Sequence, residues 1–261
     1  MAGDVHAPRW LRWHAIGVYG FLLAPIMVLV VFSFSASRFS AVWGGFTVDW
    51  YLRLADNERV LEALRNSLLV ATVATLLATG LGTLGAVALA RLRFRGRTAV
   101  EVLAYLPMVL PELVLGIALL MFFVLLTPLP LGLATIALAH SVFGTAYVLL
   151  LVRTRLQGLD PRLEEAARDL GATSGQVFTH ITLPLIMPGV IGGALLAFTL
   201  SFDDFVVAFF VTGPGASTLP IEIYSMVKRG VTPEINALAT LILLASVALI
   251  ALSLRLQRAD T

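Results

Sequence analysis

The sequence predicts an all-α polytopic membrane protein with six transmembrane helices, and three observations carry that prediction. Of the 261 residues, 59% are hydrophobic and only 13% are charged, with a mean hydropathy of +0.92, whereas a soluble domain of this size carries about a quarter charged residues. Six separate segments are apolar over the roughly 20 residues that a helix needs to cross a bilayer. The basic residues fall in short clusters between those segments, which is a pattern of topology signals and not of a phosphate-binding face. The sequence pI of about 9.3 accompanies a net charge of only +2, so nucleic acid is not an expected partner and membrane lipid is. Cysteine is absent, which excludes disulfides, thiolate metal sites and a cysteine nucleophile.

The predicted spans are 15–34, 64–90, 100–126, 131–152, 185–211 and 235–254, in a single membrane domain covering 1–261. Arg9 and Arg12 precede the first, and small residues follow it at Ser35 and Ser37, as in a signal peptide. Its apolar stretch is longer than the usual h-region of about 7–15 residues. The other five spans also need an even partner if both ends are to stay on one side, so the segment reads as a retained helix. In the connection that follows, WGGFTVDWY predicts a turn and a short interfacial helix, with Trp43, Trp50 and Tyr51 at headgroup level. A sharper reading makes Trp50 an aromatic wall for an incoming cation.

The third span contains Pro107 and Pro111, four residues apart, in its first half. They free carbonyls and kink the helix next to Glu112. Residues 127–130 form a tight uncharged turn into the fourth span. The connection after the fifth opens with TGPGAS, a Gly/Pro turn cluster, and continues through LPIEIYSMVKRG.

Orientation follows from the basic residues. One set of loops holds Arg9, Arg12, Arg91, Arg93, Arg95, Arg97, Arg153, Arg155, Arg162, Arg168, Arg255 and Arg258; the other holds Arg38, Arg53, Arg59, Arg65, Lys228 and Arg229. The positive-inside rule puts the first, larger set and both termini in the cytoplasm.

On that side, between the fourth and fifth spans, the chain reads DPRLEEAARDLGATSGQVFTHITLP from Asp160. Asp160 and Pro161 are an N-cap followed by proline at the first helical position, and Glu164 and Glu165 occupy the first turns, where the helix dipole favours negative charge. Leu163, Ala166, Ala167 and Leu170 draw a narrow apolar stripe, poor for lipid and suited to close docking against protein. Gly171 can take a positive φ and end the helix. A second short helix, 174–178, then starts in a new direction, and Pro184 opens the fifth span.

Three carboxylates stand where apolar residues are expected: Glu112 in the third span, and Asp203 and Asp204 in the fifth. A charge at bilayer depth costs at least a few kcal/mol and usually faces a bundle interior or an aqueous path. A straight helix rising about 1.5 Å per residue puts Glu112 roughly 20 Å and the aspartates nearly 30 Å from the inner boundary, in the outer half. Neighbouring helical residues point about 100° apart, so one aspartate lines a path while the other caps a helix or pairs with Lys228 or Arg229. Carboxylates and aromatics with few basic side chains favour a cation. The histidines, His6, His14, His140 and His180, are scattered without metal-ligand spacing. His140 reads as a packed bundle residue. Ser201 has no histidine in reach by sequence, so a serine nucleophile is not expected.

The polar stretch carries a family resemblance. Glu165-Ala166-Ala167, three residues, Gly171, nine residues, then Ile181, one residue and Leu183-Pro184 fill every position of a pattern that resembles the signature loop of binding-protein-dependent ABC importer permeases. The resemblance implies the type I importer permease fold, with 161–178 as coupling helices seated in a groove of a cytoplasmic ATPase subunit. Glu165 would make the polar contact there and Gly171 set the angle between the helices. No G-x-x-x-x-G-K-[ST] phosphate loop occurs in the sequence. ATP and Mg are therefore expected on partner ATPase subunits, with no cofactor and no catalysis in this chain. The other implied partners are a second, homologous permease and an extracytoplasmic solute-binding protein, around a multi-pass protein of the bacterial inner membrane.

LSFDDFVVAFFVTGP from Leu200, LPIEIYSMVKRGVTPEINALAT up to Thr240, and the PEL step at Pro111 further resemble permeases of spermidine/putrescine importers. By position, that resemblance makes Trp50, Glu112, Ser201, Asp203 and Asp204 substrate-path residues. Glu112 stands where aspartate is the family's residue, keeping the charge and lengthening the reach. An importer permease for iron, an amino acid or an organophosphonate stays open as an alternative, as does a secondary transporter using the carboxylates as a proton relay.

Overall fold

The computed structural model describes residues 9–38 and 42–259, with side chains over 10–38 and 42–247. His6 lies outside the described residues, as do the side chains of Arg9, Arg255 and Arg258. Helices follow one another as α1 (Arg9–Phe32), α2 (Asp49–Ala55), α3 (Glu58–Arg91), α4 (Arg97–Val109), α5 (Glu112–Leu126), α6 (Leu133–Gln157), α7 (Arg162–Asp169) and α8 (Ser174–Val177). A π-helical turn, Phe178–Thr182, leads into α9 (Leu183–Asp203), α10 (Val206–Val211), α11 (Leu219–Arg229) and α12 (Pro233–Ala259). Among the described residues no strand occurs; Ser35 and Phe46 form an isolated antiparallel bridge before α2.

Four helical stretches are long and apolar enough to cross a membrane: α1, α3, α6, and the run 174–203 that includes α9. The pair α4 and α5 makes a fifth if taken as one span. Helix α12, 27 residues long, occupies the sixth expected segment. The chain is thus a multi-pass, all-helical membrane protein.

Two expected spans are broken, the third where a kink was predicted and the fifth where an unbroken helix was. In the third, the axes of α4 and α5 meet at 115°. Pro111 lacks an N–H and its ring disfavours the helical conformation at the residue before it, and Leu110 is extended at φ −68°, ψ 137°. The kink expected from two prolines is therefore a full break, with Pro107 carried inside α4 and Glu112 as the first residue of α5. In the fifth, α9 ends at Asp203, Asp204 is extended at φ −67°, ψ 126°, and α10 begins two residues later. Straight-helix counting of depth therefore fails beyond Val109 and Asp203.

Two compact units divide the chain, one of residues 1–61 with 223–261 and one of 62–222. In the first, α1 and α2 pack on α12, and Asn57 Nδ2 donates to Glu234 Oε1 at 2.8 Å. Trp50 is buried there, its Nε1–H donating to the Ser35 carbonyl at 2.8 Å.

The second unit is built around α6, which packs most extensively on α9. Small residues make the approach possible, as between membrane helices generally. Gly144 of α6 faces Ala78 and Ala197, while Gly193 of α9 leaves no room for a side chain over the Val148 backbone. From α3, Gly82 lies so close to Val148 that a Cβ would sit 2.7 Å from its Cβ. One core joins Ala78, Ala86, Leu89, Val148, Val152, Ile186 and Ala197 of α3, α6 and α9. A second joins Val70, Leu115, Phe123, Ile136, Phe143, Val207 and Val211, bringing in the broken pieces α5 and α10.

Candidate functional site

Both helix breaks open onto one cavity of about 540 Å³ in the second unit. Glu112, Asp203 and Asp204 line it together with Tyr147, Phe143 and Phe205. Each acid is placed by a break: Glu112 opens α5, where the helix N-terminus favours a carboxylate, and the aspartates fall at the α9–α10 step. Among the described residues lining the cavity there is no lysine or arginine. Three formal negative charges thus face a space walled otherwise by apolar and aromatic groups and by Thr199.

The two aspartates differ. Asp204 Oδ2 accepts the Ala208 N–H of α10 at 2.8 Å and lies 3.1 Å from Nε2 of His140. His140, on α6, is 1% exposed, and its Nδ1 lies 2.7 Å from Ser201 Oγ. Asp203 is exposed. The expected division is met only in part: both aspartates line the cavity, and Asp204 also caps α10 through the Ala208 N–H and pairs with His140, not with Lys228 or Arg229. Lys228 Nζ lies 4.8 Å from the centre of the Tyr224 ring.

The expectation that Ser201 has no histidine in reach is corrected. Sixty-one residues separate them in sequence, but α6 and α9 pack side by side and bring the groups into hydrogen-bond contact. The resulting Ser201–His140–Asp204 chain is not poised for nucleophilic attack, since Ser201 is 4% exposed and does not line the cavity. Sequence reasoning missed His140 as a site residue. The available signal was a polar side chain inside an otherwise apolar span.

Of the five expected path residues, Glu112, Asp203 and Asp204 line the cavity and Ser201 lies behind it against His140. Trp50 belongs to the other unit; it is 8% exposed, with the Arg53 guanidinium carbon 4.9 Å from its ring centre.

A second polar assembly sits where the signature motif falls. Asp160 Oδ1 accepts the Arg162 N–H at 3.0 Å, capping α7 as its sequence position suggests. Gly171, with φ of +87°, ends that helical stretch, and the Thr173–Gln176 capping box starts α8. The second short helix differs from its expected end at 178. It runs through the π-helical turn straight into α9, so α8 and the span are one continuous stretch.

Glu164 turns inward. One of its oxygens, Oε1, pairs with Arg91 at the end of α3 and accepts the Thr182 hydroxyl at 2.7 Å; Oε2 pairs with Arg168 at 3.1 Å. Arg91 also donates to Thr182, which is fully buried. Glu165, by contrast, is exposed, as are Ala166 and Gly171; Ala167, Ile181 and Leu183 are half-buried, and Pro184 is exposed. Leu163 and Leu170 of the apolar stripe stay outside any core of this chain, Leu170 at 90% exposure.

Comparison with known proteins agrees with this architecture. Residues 78–259 match the family described as "Binding-protein-dependent transport system inner membrane component". The putrescine transport system permease protein PotI of Escherichia coli (strain K12) is 48% identical over 86% of this chain and 82% of its own length. The spermidine/putrescine transport system permease protein PotC of the same strain is 45% identical over 94% of this chain and 92% of its own. Among solved structures, a bacterial ABC transporter importing the acidic polysaccharide alginate superposes with a TM-score of 0.71 at 15% identity, over 94% of each chain. The MetNI methionine ABC transporter does so with 0.59 at 20% identity, over 83% of this chain and 100% of that one. These structures share the fold, which is that of type I ABC importer permeases. With its broken, acid-lined helices and its complete signature loop, the chain belongs to the binding-protein-dependent transport system inner membrane component family.

Proposed function

We propose that this chain is a permease subunit of an ATP-driven importer, and that its cargo is a polyamine. The observation that carries the cargo is the cavity: three carboxylates, aromatic walls and no lining lysine or arginine among the described residues. A polyamine places a primary ammonium at each end of an apolar spacer. The ammonium groups pair with carboxylates and aromatic faces, and the methylenes rest against Leu115, Leu200 and Val206. The names of the PotI and PotC relatives support the same class. An anionic cargo would meet uncompensated repulsion there.

The rest of the reading concerns assembly. The 1–261 chain works as one permease domain with both termini in the cytoplasm, in the bacterial inner membrane. Its 161–178 segment docks on a cytoplasmic ATPase that holds ATP and Mg, and a second permease and an extracytoplasmic binding protein complete the importer. The chain itself performs no covalent chemistry. The outward-facing stripe of Leu163 and Leu170 and the free Glu165 support docking, while Glu164 ties the docked segment to α3 and the start of α9. Closure of the ATPases would pull that tie and rock the bundle between inward and outward cavities.

The test is uptake into proteoliposomes holding the complete importer, with ATP inside and labelled putrescine or spermidine outside. ATP-dependent uptake, competed by either polyamine and not by an amino acid, an organophosphonate or ferric ion, is the expected result. Uptake driven by an ion gradient in the absence of ATP would contradict it.

A further inference from the structure

We propose that His140 is a positioning residue for the cargo path: it fixes Asp204 so that one carboxylate oxygen is committed to the protein and the other is presented to the cavity. The inference rests on reading the cavity as a cation path, and it names a residue that touches no cargo itself.

Three facts carry it. First, His140 is 1% exposed yet has both ring nitrogens engaged, Nδ1 with Ser201 Oγ at 2.7 Å and Nε2 with Asp204 Oδ2 at 3.1 Å. Its ring also tilts against Phe143, with centroids 5.3 Å apart, so the imidazole is clamped by α6 packing and by α9 together. Second, both protein bonds to Asp204 end on the same oxygen, Oδ2, which takes the Ala208 N–H at 2.8 Å as well. Among the described residues no protein donor reaches Oδ1. Third, Asp204 lines the cavity although its side chain is only 8% exposed, so little of it beyond the unclaimed oxygen is left to face a ligand.

Donor and acceptor roles follow from the chemistry of the groups. An ionised carboxylate only accepts, so Nε2 must carry the hydrogen that goes to Asp204. In the neutral ring Nδ1 is then the acceptor, and the Ser201 hydroxyl donates to it. Asp204 thereby selects the tautomer, Ser201 completes it by donating to Nδ1, His140 orients the acid, and Asp204 meets the cation. The charged groups sharing the cavity, Glu112 and Asp203, have no such support among the described residues. They can follow ammonium groups at different spacings, while Asp204 holds one end in a constant place.

The two amide substitutions separate this role from mere packing. His140→Gln keeps a donor at about the reach of Nε2 and so can still bond Asp204. His140→Asn keeps a group near the position of Nδ1 and can bond only Ser201. His140→Leu keeps neither. In the complete importer, polyamine KM should rise about tenfold in the Asn and Leu variants and less than about threefold in Gln, since a bond to a charged acceptor is the one lost or kept. Vmax should change much less than KM. In an Asp204→Asn background the three substitutions should add nothing further to KM.

A second measurement does not depend on cargo. With ¹⁵N-histidine labelling, the ring signals assigned by their loss in His140→Gln should be those of the Nε2–H tautomer, and Asp204→Asn should move the Nε2 signal. Equal rescue by Asn and Gln would overturn the proposal, as would KM effects additive with Asp204→Asn or ring signals indifferent to Asp204→Asn. If the unaltered importer takes up no polyamine, the cargo reading fails on its own, and the ring signals still decide the positioning role.

Discussion

Two pairs of adjacent carboxylates, Glu164/Glu165 in α7 and Asp203/Asp204 at the α9–α10 step, share one device and use it differently. In each pair one acid is tied into the protein and its neighbour is open. Glu164 is tied by cations: the guanidinium groups of Arg91 and Arg168, with the Thr182 hydroxyl, leave its side chain 21% exposed. Asp204 is tied by an imidazole and a backbone amide, at 8% exposure, with no lining lysine or arginine. The α7 acid is therefore paired with two guanidinium groups, as the proposed tie requires, whereas the cavity acid has only an imidazole and a backbone amide beside it. The kind of partner, cationic or polar, separates a structural acid from a binding one.

The largest effect that tests the comparison is at the open acid of α7. Glu165→Lys should reduce uptake to background while the protein remains inserted in the membrane, because the reversed charge would face the proposed docking partner. Glu164→Gln, which keeps the hydrogen-bonding shape and loses the charge, should be milder. If it is as damaging as Glu165→Lys, assayed by uptake and by co-purification of the ATPase, the division of roles is wrong.

Next come the cavity acids. Asp204→Asn and Glu112→Gln should each raise polyamine KM by about 10- to 100-fold, the loss of one hydrogen bond to a charged group being about 1.5–3 kcal/mol. Glu112→Gln and Asp203→Asn should fall at the lower end, because neither carboxylate is held in place. A saturation series for each variant at fixed ATP checks the order.

A smaller effect is expected where α3 and α9 close on α6. Gly82→Val or Gly193→Leu forces a side chain against Val148, and overpacking of this kind costs about 1–3 kcal/mol. Thermal unfolding of the purified complex should show a lowered midpoint, and both regions should weaken together because the same three helices support them. Loss of only one function would loosen the link drawn between them. The smallest effect belongs to Arg91→Gln, since a partly exposed ion pair contributes about 0–1 kcal/mol and is screened by salt. Restoration of activity in the exchanged pair Arg91→Glu with Glu164→Arg would sharpen the assignment of Glu164 as a tie.

Local features of this fold were legible in sequence. Asp160 caps α7 and Gly171 takes a positive φ, since capping and chirality act over a few residues. The apolar segments located the helices for the same reason. Pro111 announced a disturbance, but its size, 115°, depends on how α5 packs on α10 and α6, which no local pattern encodes. Glu112 and the aspartates stood out as charges in apolar runs, and their meeting in one cavity follows from two breaks that sequence showed only in part. His140 went unrecognised because its partners lie 61 and 64 residues away, across the α6–α9 packing. Trp50 was read as an interfacial or path-facing aromatic; its burial against the Ser35 carbonyl reflects the turn and bridge before α2, which composition does not report.

The central claim is that the acid-lined cavity selects a cation carried by ATP-driven import. Uptake by the reconstituted importer is the test: putrescine or spermidine uptake is measured with the Glu112→Gln, Asp203→Asn, Asp204→Asn triple variant beside the unaltered chain, together with ATPase activity. The triple variant is expected to assemble with its ATPase and to lose polyamine uptake at concentrations that saturate the unaltered importer. Unchanged uptake by the triple variant would contradict it.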